Sequence, residues 1–232
     1  MVEATDDLIY GAEEVLSFHG AQWKAFVPPE LATVSFDTHI DKARRIDGRI
    51  KEIGREKWNA MDAKERAETA RRIQKESHLP EAAAPYLPTL DDVRRIAAYA
   101  GHIHYRDVPM VTGDSRDDFG TIQGAAFVSC AAHHVPRLMN DLMRWIRSDL
   151  PISIRATVAR AQMLMIHPFR DGNSRCGRYV ANCLLRLLTP HPLRTPWEGE
   201  EWVNTLVELE RTGDYDAYAD WALDKIETHL NL

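Results

Sequence analysis

A short polar stretch between two apolar segments constrains the fold of this chain more than any other feature of its sequence. The segments ISIRATVARAQMLMIH and RYVANCLLRLL each read as a buried helix, and HPFRDGNS (167–174) joins them. Pro168 cannot continue a helix and disfavours helical geometry at the residue before it, so the first helix is predicted to end near His167. Gly172 and Asn173 tolerate unusual backbone angles, which predicts a sharp turn before the second helix.

The start of the second helix, predicted at Ser174 or Arg175, has the properties of an anion site. The first backbone N–H groups of a helix have no partner within it, and together with the helix dipole they attract anions. Arg175 and Arg178 are three residues apart and therefore share a face of this helix. They can add forked, charge-assisted hydrogen bonds to phosphate oxygens.

Two further side chains of the stretch predict chemistry beside this anion site. Asp171 would repel a phosphate unless a cation lies between them, and Mg²⁺ held by a carboxylate and substrate phosphates meets that condition. His167 is the natural general base, because a histidine titrates near physiological pH. The loop 167–178 is therefore predicted to be a nucleotide-phosphate site with a base beside it.

The rest of the chain reads as mostly helical. The stretch DTHIDKARRIDGRIKEIG has apolar residues at helical spacing, and Gly54 is predicted to end that helix. Asp62 with Glu65 three residues later resembles a capping box at the start of the next helix. Thr89 or Asp91 is predicted to begin a further helix, LDDVRRIAAYAGH.

Two stretches interrupt the helical pattern. HLPEAAAPYLPTL has three prolines and predicts a boundary between an N-terminal helical extension (1–80) and a main domain (81–232). HYRDVPMVTGDSRDDFGTIQGAAFV is rich in β-branched residues and glycine without a helical period, which predicts a β-hairpin at about residues 108–128.

Composition narrows the class of protein and of partner. The net charge of −6 argues against nucleic acid as a partner. Three cysteines do not make a disulfide framework, which favours a reducing compartment. The N-terminus lacks the pattern of a signal peptide, and no apolar stretch is long enough to span a bilayer. We therefore expect a cytoplasmic protein with no membrane partner.

The stretch HPFRDGNSRCGR closely resembles the Fic-domain signature, His-x-Phe-x-Asp/Glu-Gly-Asn-Gly-Arg-x-x-Arg. The resemblance extends from about residue 89 to the C-terminus and includes HYRDVPMV and ERTGDYDAYADW. It implies a mainly α-helical bundle with a β-hairpin flap. It also implies a protein adenylyltransferase, which transfers AMP from ATP to a Ser, Thr or Tyr hydroxyl of a target protein with Mg²⁺.

The resemblance also implies roles for the residues of the signature. His167 would take the proton of the target hydroxyl, and the freed oxygen would attack the α-phosphate. Asp171 would hold Mg²⁺, and Phe169 would be structural. The phosphates would be bound by the backbone of 172–174, from Gly172 to Ser174, by the Asn173 side chain, and by Arg175 and Arg178. The flap (108–128) would hold the target protein by strand addition.

One position departs from the family pattern, since Ser174 stands where the family usually has glycine. If the position requires a positive φ, Ser is strained by about 1 kcal/mol or more. If it is a helix N-cap, Ser is well suited. We expect the change to be tolerated.

Many Fic proteins also have an inhibitory helix with a Ser/Thr-x-x-x-Glu-Gly/Asn motif, whose glutamate pairs with the second signature arginine. Here the nearest match is ESHLPEA, with Ser77 and Glu81 at the right spacing but Ala82 in place of Gly/Asn. Glu81 would compete with phosphate for Arg178, or it merely belongs to the first turn of a short helix. A separate inhibitor protein is the alternative source of such a block.

Other functions stay open on the sequence alone. The same site could hydrolyse an AMP–protein ester, with Glu81 aligning the water, or could transfer UMP, phosphate or phosphocholine. A function of another class is a nucleotide-binding regulator that has lost catalysis through Ser174.

Overall fold

The structure of the protein is a computed structural model that describes residues 13–18, 21–77, 85–107, 128–189, 197 and 199–230. Within these residues the protein is mostly helical, as the sequence predicted. The α-helices are α1 (Ile40–Ala60), α2 (Ala63–Ser77), α3 (Leu90–Ala98), α4 (Val135–Trp145), α5 (Ile152–Ile166), α6 (Asn173–Leu185), α7 (Glu200–Thr212) and α8 (Tyr215–Leu230). The strands are β1 (Glu13–Phe18), β2 (Ala21–Phe26) and β3 (Val128–Ser129). In this part of the chain no helix combines the length and the apolar character needed to cross a membrane.

Helix α5 lies at the centre of the bundle, as its apolar sequence predicted. Almost all of its side chains are buried, and it packs against α1, α4, α6 and α8. Its N-terminus is capped from another helix, because Asp47 of α1 accepts hydrogen bonds from the N–H groups of Ile152 (2.7 Å) and Ser153 (2.9 Å). A buried, capped helix provides a rigid base for the loop that follows it.

Two helix starts confirm the capping patterns of the sequence. Thr89 accepts a hydrogen bond from the Asp92 N–H, and the Asp92 carboxylate accepts one from the Thr89 N–H. Asp62 and Glu65 make the same reciprocal pair at the start of α2. Caps of this kind depend on residues three positions apart, so the sequence reveals them directly.

The predicted helix end at Gly54 is wrong. Helix α1 continues through this residue to Ala60. A β-carbon at position 54 would lie 1.8 Å from the Thr189 Oγ1 atom, so only glycine permits the close approach of residue 189. Gly54 therefore serves packing between distant parts of the chain rather than helix termination.

The N-terminal region contains strands as well as helices. Strands β1 and β2 pair antiparallel, and β3 adds parallel to β2 with Ala25 opposite Val128 and Phe26 opposite Ser129. Among the described residues of the predicted helical extension (1–80), two strands of this sheet therefore precede α1 and α2. The predicted domain boundary falls among residues 78–84, which lie outside the described residues, so it stays a prediction.

Candidate functional site

His167 follows the last residue of α5 and turns the chain sharply. Its backbone is left-handed, with φ 48° and ψ 59°, and it is the one non-glycine residue with positive φ in the described part of the chain. The left-handed region costs a residue with a β-carbon about 1–2 kcal/mol, so surrounding contacts must maintain this turn. A bond from the His167 N–H to the Met163 carbonyl (3.1 Å) supplies one of them.

The imidazole of His167 is largely buried, with 9% of the residue exposed. Burial and the nearby positive charge of Arg106 lower its pKa from 6.5 to about 4, although Asp171 acts in the opposite direction. The ring is therefore neutral at pH 7 and able to accept a proton.

Arg106 is a buried residue that contacts the same turn. Its Nε donates to the His167 carbonyl (2.7 Å), and its Nη2 donates to the carbonyls of Ile166 (3.2 Å) and Cys130 (2.5 Å). Its own backbone N–H donates to the Pro168 carbonyl (2.9 Å). The sequence did not indicate this role, because an isolated arginine in HYRD carries no local sign of burial.

The loop after His167 is closed by Asn173 and Phe169. The Asn173 side chain accepts a hydrogen bond from the Phe169 N–H (2.9 Å) and donates one to the Phe169 carbonyl (2.7 Å). The Phe169 ring is fully buried, 5.7 Å from the ring of Tyr105. Asn173 therefore holds the loop in shape, and the phosphate contact expected of its side chain stays a prediction.

Two glycines allow the loop and α6 to approach their neighbours. Gly172 has φ 86° at the N-cap position, and a β-carbon there would lie 3.2 Å from the β-carbon of Ala100. A β-carbon at Gly177 would lie 3.2 Å from the Arg160 carbonyl of α5. The absence of side chains at these positions brings α6 against both α3 and α5.

Helix α6 begins at Asn173, one residue before the predicted start, and Ser174 is its second residue. Ser174 is exposed and does not have a positive φ. The position occupied by glycine in the family pattern therefore places no backbone strain on serine here. Ser174 is not the N-cap either, since that position belongs to Gly172.

The first two turns of α6 bring together the charged residues of the predicted anion site. Arg175 and Arg178 are half-buried, and Asp171 is exposed just before the helix. The backbone N–H groups of the first turn point out of the same helix end. This end of α6 therefore carries two cationic side chains, and the buried His167 lies four residues before Asp171 in the chain.

Asp171 has the chemistry of a magnesium ligand, but it would need partners from a substrate. One of its oxygens accepts the Gly172 N–H (2.6 Å), which fixes the carboxylate. Across the residues that the structure describes, no group of three His, Cys, Asp or Glu side chains could hold a metal ion. A single oriented carboxylate fits Mg²⁺ bound mainly through substrate phosphates and water, the usual mode for this ion.

Two predicted features lie outside the described residues. Glu81 of the predicted inhibitory motif is among residues 78–84, and only the backbone of Ser77, at the end of α2, is described. The predicted flap lies at residues 108–127, with only Val128 of its range inside β3. Both stay predictions.

Comparison with known proteins identifies a family whose model covers the residues of this site. The model of the Fic/DOC family matches residues 86–185, which include the loop and the whole of α6. A probable protein adenylyltransferase of Aquifex aeolicus is 33% identical over 66 residues, which are 28% of this chain and 21% of that protein. The Drosophila ananassae protein adenylyltransferase Fic is 29% identical over 99 residues, 41% of this chain and 20% of that protein. The matches thus span about a fifth of each of these curated relatives.

A solved structure shares the fold. The crystal structure of a Fic family protein from Desulfovibrio desulfuricans G20 superimposes with a TM-score of 0.50 at 17% identity, and covers 83% of this chain and 62% of that one. At this identity the likeness concerns the helical architecture alone.

Proposed function

Because the chain is a Fic-domain protein, we propose that it is a protein adenylyltransferase that transfers AMP from ATP to a hydroxyl side chain of another protein. The observation that carries this proposal is the pairing of a buried, neutral His167 with the cationic start of α6. The Fic/DOC family model covers this part of the chain, and relatives that match part of the chain are named as adenylyltransferases. The target protein is proposed to bind along residues 108–128.

His167 acts as the general base. A neutral imidazole takes the proton of the target hydroxyl as the oxygen attacks the α-phosphorus, and pyrophosphate leaves. In the free protein its pKa of about 4 makes it a weak base. The negative charges of a bound triphosphate favour the imidazolium and raise that pKa, so base strength increases when ATP is in place.

The start of α6 binds the triphosphate. The N–H groups of its first turn donate to phosphate oxygens, and Arg175 and Arg178 add forked hydrogen bonds from one face. As pyrophosphate departs, charge accumulates on its oxygens, and donors already oriented by the helix stabilise that charge. Asn173 contributes by holding the loop through Phe169.

Asp171 would hold Mg²⁺ together with phosphate oxygens. When bound, the ion would neutralise part of the triphosphate charge and polarise the reacting phosphate. The bond from the Gly172 N–H orients the carboxylate for that role.

Label transfer from α-³²P nucleotides tests the proposal. Purified protein is incubated with lysate proteins and α-labelled ATP, GTP, CTP or UTP, with Mg²⁺ or with chelator. We expect labelled protein bands with ATP and Mg²⁺. His167→Ala should lower the rate at least about 100-fold, the scale of a lost general base.

A control variant shows whether the loss of activity is specific to His167, and other outcomes would indicate a different function. His229→Ala removes an exposed histidine of α8 and should leave the rate unchanged. ATP binding without label transfer at any Mg²⁺ concentration would instead indicate a nucleotide-binding regulator. Label from UTP rather than ATP would overturn the choice of nucleotide. Release of AMP from a pre-labelled protein, without forward transfer, would indicate the hydrolase.

A further inference from the structure

Arg106 connects three parts of the chain that are far apart in sequence. It lies two residues before the segment 108–127, and its Nη2 donates to the carbonyl of Cys130, which follows β3. The two described flanks of this segment therefore meet at one guanidinium. The same group also donates to the carbonyls of Ile166 and His167.

Arg106 makes several contacts with the end of α5 and the residues that follow it. Together its side chain and its N–H contact the carbonyls of three consecutive residues, Ile166, His167 and Pro168. The last carbonyls of a helix have no partner within the helix and carry partial negative charge, so a buried cation satisfies them well. The planar fork of arginine reaches several acceptors at once, which the single ammonium of lysine cannot reproduce.

These contacts stabilise the strained backbone conformation of His167. The left-handed turn at this residue is unfavourable for a side chain with a β-carbon, and it persists only where neighbours over-determine it. Arg106 contacts the peptide units on both sides of the turn. The guanidinium thereby links the backbone of His167 to Cys130, which follows residues 108–127 in the chain.

We propose that Arg106 is a positioning residue for group transfer: it fixes the His167 backbone, so that the imidazole is held in place to meet the acceptor hydroxyl. This inference rests on the proposed function. Arg106 does not itself contact substrate. Its loss should therefore affect the rate of transfer and leave the anion site on α6 intact.

The charges around His167 give an independent readout. Arg106 and Asp171 are the charged groups that act on the imidazole, with opposite effects on its protonation. Removing the Arg106 charge should raise the His167 pKa above about 4, whereas Arg106→Lys retains a cation and should raise it less. A residue with only a general packing role would not produce this ordered response.

The test compares Arg106→Lys and Arg106→Gln with Arg155→Lys. Arg155 also donates to a backbone carbonyl, that of Ile146 (2.8 Å), but lies in the first turn of α5, about 18 Å along the helix from His167. We expect Arg106→Lys to lower kcat about 30- to 100-fold, since small misplacements of reacting groups have effects of this size. The Kd of Arg106→Lys for Mg-ATP, measured by calorimetry, should stay within about threefold of the wild-type value. The kcat of the control Arg155→Lys should also stay within about threefold of the wild-type value.

Two outcomes would overturn the proposal. One is a loss of kcat in Arg106→Lys no larger than in Arg155→Lys. The other is an increase in the Kd of Arg106→Lys for Mg-ATP by the same factor as its kcat decreases. That result would assign Arg106 to nucleotide binding.

Nuclear magnetic resonance separates failure of this inference from failure of the proposed function. If the wild type transfers no label, the ring titration of His167 and the exchange of its amide still report on positioning. We expect Arg106→Gln to raise the pKa of the His167 ring. We expect Arg106→Lys to speed hydrogen exchange at the His167 amide. If neither the pKa nor the exchange rate changes, the inference is contradicted. Should both variants unfold, the wild-type Arg106 Nε–H decides: slow exchange supports the bond to His167, and rapid exchange with solvent refutes it.

Discussion

Acid should destabilise this protein through His167 in particular. The folded state holds the imidazole neutral, with a pKa near 4 against 6.5 for an ordinary histidine, because burial and Arg106 disfavour the charged form. Between these values the unfolded chain binds more protons than the folded one, so the free energy of unfolding falls as pH decreases. This contribution is fully present above pH 6.5 and is lost progressively as pH falls towards 4.

The size of the effect follows from the pKa difference. At pH 5 the folded state loses about 2 kcal/mol relative to pH 7, because each unit of pH between the two pKa values contributes about 1.4 kcal/mol. For a chain of this length that corresponds to roughly 4–8 °C in Tm.

The perturbation is His167→Asn, measured by urea unfolding at pH 7 and pH 5. Asparagine accepts the left-handed backbone of this position but has no group that titrates in this range. The unfolding free energy of the variant should therefore be less sensitive to acid than that of wild type, by about 2 kcal/mol between the two pH values. Other titrating groups are common to both proteins and cancel in the comparison.

His229→Asn serves as the matched control, because this histidine lies at an exposed position near the end of α8. It should retain the wild-type dependence on pH. If wild type and His167→Asn differ by the same amount at both pH values, within about 0.5 kcal/mol, the buried neutral imidazole is not the cause and the reasoning fails.

Two further predictions concern residues outside the proposed chemistry of His167. Burial raises the pKa of Glu210 to about 9, so at pH 8 the fold must keep a proton on this carboxyl that the unfolded chain releases. Glu210→Gln should therefore raise Tm at pH 8, by the equivalent of about 5 kcal/mol, and have little effect at pH 4; an equal shift at both pH values would contradict this. Gly172→Ala should lower the free energy of unfolding by about 1–2 kcal/mol, because its φ of 86° is unfavourable for alanine, and Ala100→Gly in the same chain should recover only the steric part. Chemical denaturation measures the free energy of unfolding of Gly172→Ala with and without Ala100→Gly. If Ala100→Gly restores the wild-type value fully, backbone strain is not involved.

Local sequence patterns predicted the features that depend on neighbours in the chain. The caps at Thr89 and Asp62 need partners only three residues away, and both form as expected. The end of α5 near His167 follows from Pro168, whose ring blocks a helix whatever surrounds it. The spacing of Arg175 and Arg178 places them on one face of α6 for the same local reason.

Features that depend on distant residues could not be predicted in this way. Gly54 resembles a helix end until the position of Thr189 is known, 135 residues later in the chain. Strand β2 pairs with β1 on one side and with β3 on the other, and this pairing is not visible in any of the segments alone. The consequence of Ser174 also required the structure, since only the observed backbone shows that serine is unstrained there.

The sequence by itself determined the chemistry that this protein carries: a histidine, a carboxylate and two arginines around a helix start, with the turn residues that bring them close. The tertiary structure alone decided the state of those groups. The imidazole of His167 is neutral because the surrounding chain buries it beside Arg106. Its left-handed backbone is held by a hydrogen bond from Arg106, some 60 residues earlier in the chain. Desolvation and long-range hydrogen bonds depend on what folds against a residue, which its neighbours in the chain do not specify.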